Sequence, residues 1–221
     1  MLKRNRIDTI ISRKGAGKSV LMQYLILTNP RSCIIFDPTM SLQNFKNRIF
    51  FNYERWGAIG FKKLLNHIGT RLYSQKIDIV INNCLEPEEI LQILYYSPKV
   101  QGIGIVMDEI DLYYSAQMSQ RSVLYAILNI GRHKSFDFVG VCRRPANCPR
   151  ALTSQSDYIY LGIHNQEPND LKYLQTFINQ KALLCYNSLN LYDFLKVDLT
   201  NQKSKVFKLP NEALKILNVE A

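Results

Sequence analysis

Ile7-Asp-Thr-Ile-Ile-Ser12-Arg13-Lys14-Gly15-Ala16-Gly17-Lys18-Ser19-Val20 runs from a β-rich stretch, through a glycine-rich turn, into helical spacing at Val20, Leu21, Leu25 and Leu27. Strand, loop and helix in that order form the frame in which a backbone cradles phosphate. The glycines let successive N–H groups turn inward around an anion. The helix that follows presents its positive end to the same anion. Asn29-Pro30 stops that helix, because proline has no N–H to continue it.

The phosphate-loop pattern is glycine, any four residues, then Gly-Lys-Ser/Thr. Ser12 stands where the first glycine belongs, and Gly15-Ala-Gly17-Lys18-Ser19 fits the rest. Ser12, Arg13, Lys14, Gly15, Ala16, Gly17, Lys18, Ser19 and Val20 are therefore the expected nucleotide-binding set. In such a loop Lys18 reaches the β- and γ-phosphates of ATP, and Ser19 places its hydroxyl on Mg²⁺. A chance glycine-rich turn is the competing explanation, and the flanking strand and helix weigh against it.

Ile103-Gly-Ile-Val-Met-Asp108-Glu109 is an apolar run ending in two acids. Asp108 fits the residue that holds Mg²⁺, through water. Glu109 is placed to orient the attacking water or accept its proton. Asp111, close by, reads as an ordinary strand-end acid meeting solvent. The interval between Ser19 and Asp108 leaves room for two strand–helix units. A catalytic Glu with strands intervening resembles the ATPase branch of P-loop proteins that includes RecA-like motors; small kinases usually lack this Glu and carry an arginine-rich lid.

Further strands are expected at Ser32–Asp37, Ile77–Asn82, Val100–Met107, Phe136–Cys142 and Asp157–Ile163. Residues 41–75 mix aromatic and basic side chains and read as mostly helical. A helix opens near Glu86-Pro-Glu-Glu, with acids in its first turn. Another, of about 15 residues, is expected between Glu109 and Gly131, and a third from Pro168 to Gln180. Phe194–Leu209 has two alternating runs around a polar turn, a terminal hairpin. The fold class is α/β: a RecA-like P-loop NTPase with a mostly parallel sheet, helices on both faces and a small C-terminal β hairpin. Residues 1–221 form one expected domain, with its core at 7–163 and the C-terminal helix and hairpin at 168–209. Ligands of such sheets bind at the carboxyl ends of the strands.

The 221 residues suffice for one full core. No apolar run approaches the ~18 residues that span a bilayer, and nothing at the start reads as a signal peptide, so a cytoplasmic location is expected. Cys33, Cys84, Cys142, Cys148 and Cys185 lack any Cys-x-x-Cys spacing, and with His67, His133 and His164 they suggest no metal cluster. Free buried thiols are expected. The net charge of +10 favours polyanionic partners, nucleic acid first.

The most distinctive stretch is Gly131-Arg132-His-Lys-Ser-Phe-Asp-Phe-Val-Gly-Val-Cys-Arg143-Arg144-Pro145-Ala-Asn-Cys-Pro-Arg150. It resembles the HerA–FtsK superfamily of DNA-pumping ATPases, which carry Gly-Arg before the strand that follows the acidic pair and Gln-Arg-Pro after it. Here Arg143 replaces the Gln. Asp157, opening an apolar strand, also fits. At this length the chain is most similar to the genome-packaging ATPases of tailless icosahedral viruses with an internal membrane. The resemblance covers roughly residues 7–163. It implies a hexameric ring that translocates double-stranded DNA in the host cytoplasm, with possible docking to a capsid or membrane-vertex protein. It also implies an arginine reaching into the neighbouring subunit's site, with Arg132 the first candidate. Arg143 becomes the candidate sensor of the γ-phosphate. Arginine suits both roles because its planar fork neutralises charge on the transferred phosphoryl group.

Phe45–Trp56 interleaves cations with aromatics that could meet DNA, although burial of Phe50, Phe51 and Trp56 in an amphipathic helix is the preferred reading. Tyr113–Arg121 could couple hydrolysis to a pore-facing loop. A phage assembly or export ATPase of the same superfamily is the nearest alternative. A nucleotide or nucleoside kinase is the alternative from another class, and would need an acceptor pocket and a lid.

Overall fold

β1 (Ile7–Ile11) is buried along its whole length, as a central parallel strand must be. It pairs in parallel with β6 (Asp137–Cys142) on one side and β7 (Tyr158–Leu161) on the other. Outward from β6 lie β5 (Gly104–Met107), β2 (Cys33–Asp37), β4 (Asp78–Asn82) and β3 (Arg48–Asn52), all parallel. Beyond β7, the hairpin of β8 (Asp193–Asp198) and β9 (Lys203–Lys208) adds two antiparallel strands. This is the α/β sheet expected, with the hairpin extending its edge. The computed structural model describes residues 5–42, 48–69, 71–163 and 167–210 and omits the side chain of Arg132. The expectations for Arg132, for Phe45 to Asn47 and for His164 therefore lie outside the described residues.

The helices are α1 (Lys18–Thr28), α2 (Tyr53–Ile68), α3 (Arg71–Ser74), α4 (Pro87–Tyr96), α5 (Val123–Ile130), α6 (Arg150–Gln155), α7 (Pro168–Leu174) and α8 (Gln180–Asn187). Side chains alternate across each strand, so the sheet sorts them onto two faces. Phe36, Ile81 and Met107 pack on one face against Phe61 of α2, Ile90 of α4 and Leu124 of α5. Ile10, Ile35, Val106 and Val141 take the other face, where α1 supplies Leu21, Met22, Leu25 and Ile26. Each of Leu21, Met22 and Ile26 is essentially fully buried, and burial of one such side chain contributes about 1.5–3 kcal/mol. This packing holds the amino end of α1 at the carboxyl end of β1. Glu88, in the first turn of α4, accepts the Val123 N–H of α5 at 2.8 Å and the Tyr114 hydroxyl at 2.7 Å. It thereby supplements Ser122, the N-cap of α5, whose side chain accepts the Tyr125 N–H at 3.1 Å.

Several expected elements are corrected. Arg48–Asn52 is a strand, not part of a helix. Its Phe51 points into the core and Phe50 is exposed, the alternation of an edge strand. Trp56 is also exposed. Gly57, at φ +56° and ψ −173°, interrupts α2 directly after it and takes Trp56 out of the apolar stripe. Arg55 lies over its ring instead. The helix expected after Glu109 begins only at Val123, behind a 3₁₀ turn at Ile110–Leu112. The helix opened by Pro168 ends at Leu174, and α8 follows it. Of the cysteines, Cys185 is only partly buried. Among the described residues no helix is long and apolar enough to cross a membrane.

Candidate active site

The carboxyl ends of β1, β2, β5 and β6 border one cleft of about 420 Å³. The loop after β1 contributes Lys14, Gly15, Gly17, Lys18, Ser19 and Val20. Asp108 and Glu109 follow β5, Arg143 follows β6, and Thr39 and Tyr192 complete the walls. Gly15 and Gly17 have φ of +80° and +89°, in the left-handed region that disfavours side chains. No side chain caps α1, so its first N–H groups remain for an anion. The Lys18 ammonium donates to the Arg13 carbonyl at 2.8 Å and closes the loop. Burial lowers the Lys18 pKa, and the charges of Asp108 and Glu109 oppose that shift.

Ser12 is wholly buried and does not line the cleft. Its N–H donates to the Cys142 carbonyl at 3.2 Å, and its hydroxyl donates to the Ile163 carbonyl at 2.9 Å. The Arg13 N–H donates to the same Ile163 carbonyl. A serine fits here because Gly162 faces it: a Cβ on Gly162 would come within 2.5 Å of Ser12 Oγ. Ser12, Arg13 and Ala16 thus form the frame of the loop, and Lys14, Gly15 and Gly17 to Val20 carry its open face.

Glu109 has φ +48° and ψ +48°, a conformation costing about 1–2 kcal/mol outside glycine. Its N–H donates to Asp108 Oδ1 at 3.0 Å, and its carbonyl accepts the Leu112 N–H at 2.8 Å. This tight turn sends both acids to the cleft. Burial, then the neighbouring charges of Glu109 and Asp37, push the Asp108 carboxyl up to about 7. A cation beside it would reverse that shift. The Ser19 hydroxyl and the Asp108 carboxylate are hard oxygen donors, and Mg²⁺ completes its shell with water and phosphate oxygens. The donor set fits Mg²⁺. Asp111 is half-buried with its carboxyl raised by burial, so it meets solvent only in part.

Arg143 Nε donates to Glu109 Oε1 at 2.9 Å, and a terminal guanidinium nitrogen bonds the same oxygen. Its side chain is 48% exposed, open to the cleft. The turn beneath it is fixed from α7. Buried Asp170 accepts the Ala146 N–H at 2.9 Å and Arg144 Nε at 3.2 Å, and Arg144 also pairs with Glu167. The Arg150 guanidinium lies 3.4 Å over the Tyr173 ring. Arg144 and Arg150 therefore hold structure while Arg143 faces the acids.

Sequence reasoning missed Thr39 and Tyr192. Thr39 follows the carboxyl end of β2, where ligands of parallel sheets bind, so that rule could have found it. Nothing local marks Tyr192, which reaches the cleft because β8 pairs with β7 beside β1. It holds φ +69°, and its ring lies against the loop: a Cβ on Gly17 would meet Tyr192 Cδ1 at 2.8 Å.

No protein-family model matches the chain, and no curated protein matches it significantly. Solved structures do. The genome packaging NTPase B204 from Sulfolobus turreted icosahedral virus 2, in complex with AMPPCP, is 21% identical with a TM-score of 0.72, covering 93% of this chain and 98% of that one. B204, the DNA-packaging ATPase from Sulfolobus turreted icosahedral virus, is 20% identical with a TM-score of 0.69, over 95% and 100%. VirB4 of Thermoanaerobacter pseudethanolicus is 13% identical with a TM-score of 0.64, over 93% and 90%. The chain shares, along nearly its whole described length, the RecA-like P-loop fold of these proteins, the fold its motifs had implied.

Proposed function

We propose that the chain hydrolyses Mg·ATP in this cleft and uses the energy to move double-stranded DNA, as a viral genome-packaging motor built from a ring of identical subunits. The observation that carries the reading is the convergence of a phosphate loop, two acids and an arginine on one cleft, from three separate strand ends. Lys18 and the N–H groups of the loop and α1 bind the phosphates. Ser19 and Asp108 hold Mg²⁺, which neutralises charge on the phosphate oxygens. Glu109 orients the attacking water and accepts its proton. Arg143 restrains the Glu109 carboxylate and stands where it can turn to the γ-phosphate instead. Tyr192 gives the nucleoside end an aromatic surface beside Gly17. An arginine from the adjoining subunit, Arg132 by its position in the chain, completes the site. The net charge of +10 supports a DNA track, as does the printed role of the B204 proteins.

The test is steady-state ATP hydrolysis with and without linear double-stranded DNA. A DNA-dependent rise in turnover that weakens with added salt is the expected result. Turnover indifferent to DNA at every concentration would leave an ATPase and remove the DNA motor.

A further inference from the structure

Cys142 is the last residue of β6, and Cys148 follows the 3₁₀ turn Pro145–Asn147. Both side chains are wholly buried, and their sulfurs lie 2.9 Å apart. Apolar side-chain atoms in contact usually stand about 4 Å apart. The turn that brings them together is fixed by other bonds. The Cys148 N–H donates to the Pro145 carbonyl at 3.2 Å, and Asp170 holds the Ala146 N–H. We propose that Cys142 and Cys148 are a disulfide-forming pair, whose bond staples the turn carrying Arg143 and Arg144 into a closed loop.

The reaction is a two-electron oxidation. Both S–H bonds break, one S–S bond forms, and a small-molecule disulfide takes up two electrons and two protons to leave as two thiols. Burial, and the hydrogen bond to Cys148, hold the Cys142 thiol far above its usual range, which slows every thiolate reaction while the turn is closed, the oxidation included. Among the described residues, no group of three His, Cys, Asp or Glu side chains could hold a metal beside it. Burial also sets the kinetics. An oxidant reaches the sulfurs only when the Pro145–Asn147 turn opens, and a reductant meets the same barrier afterwards. The bond is therefore a persistent staple, not a rapid switch. Its effect on the chain is a smaller unfolded ensemble, and its effect on the site is a turn that keeps Arg143 facing Glu109. The proposal does not depend on the functional reading.

The intact protein is incubated with oxidised glutathione at a temperature where a parallel sample, treated with a thiol-alkylating reagent alone, shows Cys142 and Cys148 labelled, an internal proof that the turn opens and the sulfurs are reached. It is then denatured without reductant, alkylated and digested with trypsin. Cleavage after Arg143 separates Ser135–Arg143 from Arg144–Arg150, so only a disulfide can hold those peptides together. The expected result is one linked species that parts on reduction. Reductant should also lower the melting temperature of the oxidised protein by about 5–9 °C, with no such drop in Cys148→Ser. Alkylated or singly glutathionylated Cys142 and Cys148, under conditions where the parallel sample shows both thiols reached, would overturn the proposal.

Discussion

At the amino ends of the strands, acids meet partners that close them off. Asp157 accepts the Ile7 N–H at 2.9 Å, Asp78 the Cys33 N–H at 3.0 Å, and Asp137 the Arg6 N–H at 2.8 Å while pairing with Arg31. Asp8 pairs with Arg6 at 2.8 Å. At the carboxyl ends, Asp108 and Glu109 face an open cleft, and the cation on Glu109 is a half-exposed arginine able to leave. Both ends bury carboxylates in the same sheet. What separates architecture from chemistry is whether the acid faces an open cleft, since Asp8 at the closed end is also paired with a half-exposed arginine. Asp37 qualifies the contrast, since it sits at a carboxyl end yet accepts the Ser41 and Leu42 N–H groups of its own turn.

The contrast breaks most visibly at Lys18. Lys18→Ala should weaken nucleotide binding about 10–100-fold, the loss of a hydrogen bond to a charged group, while the melting temperature hardly moves. Isothermal titration with a non-hydrolysable ATP analogue reads the first and calorimetric melting the second. A collapse in stability with binding intact would place Lys18 among the architectural groups.

Gly162 tests the frame of the loop. Its Cβ position lies 2.5 Å from Ser12 Oγ and 2.9 Å from Phe194 Cε1, so Gly162→Ala should cost about 1–3 kcal/mol by overpacking. Adding Ser12→Gly should restore part of that loss in chemical denaturation. A double variant no more stable than the single one would refute the pairing of Ser12 with Gly162.

The amino end predicts a pH-dependent effect. Burial, opposed by Arg6, pushes the Asp8 carboxyl up to about 6. The folded state therefore holds its proton more tightly than the unfolded chain does. The resulting stability is present below pH 4 and is lost as the pH rises to about 6. The difference from the ordinary carboxylate pKa is worth about 1–3 kcal/mol, because burial of Asp8 itself outweighs the opposing Arg6. Asp8→Asn should flatten the stability profile across that window and leave ATP turnover at pH 7 unchanged. An identical slope in the variant would assign the pH dependence to another group.

The legible parts of the molecule were those set by contiguous residues. Ile7–Ile11, the glycines, Lys18 and Ser19 form strand, loop and helix within one short run, so local sequence fixes their geometry. Asp108, Glu109 and Arg143 were legible because each ends an apolar strand, and parallel strands deliver their carboxyl ends to one edge. Arg48–Asn52 was misread because an edge strand buries only one of its faces, and its flanking cations resemble the polar side of a helix. The start of α5 was misplaced because its local cap, Ser122, which accepts the Tyr125 N–H, was passed over among the neighbouring polar residues. Tyr192 was invisible because its place beside Gly17 follows from the pairing of β8 with β7, a contact between distant segments.

The account rests on Glu109 acting at the chemical step in a cleft that other residues suffice to fill with nucleotide. The direct measurement pairs ATP binding with single-turnover hydrolysis in Glu109→Gln. The expected result is binding close to wild type with the chemical step slowed about 10²–10⁴-fold. Hydrolysis at the wild-type rate in that variant would contradict the account, and the catalytic group would have to be sought elsewhere in the cleft.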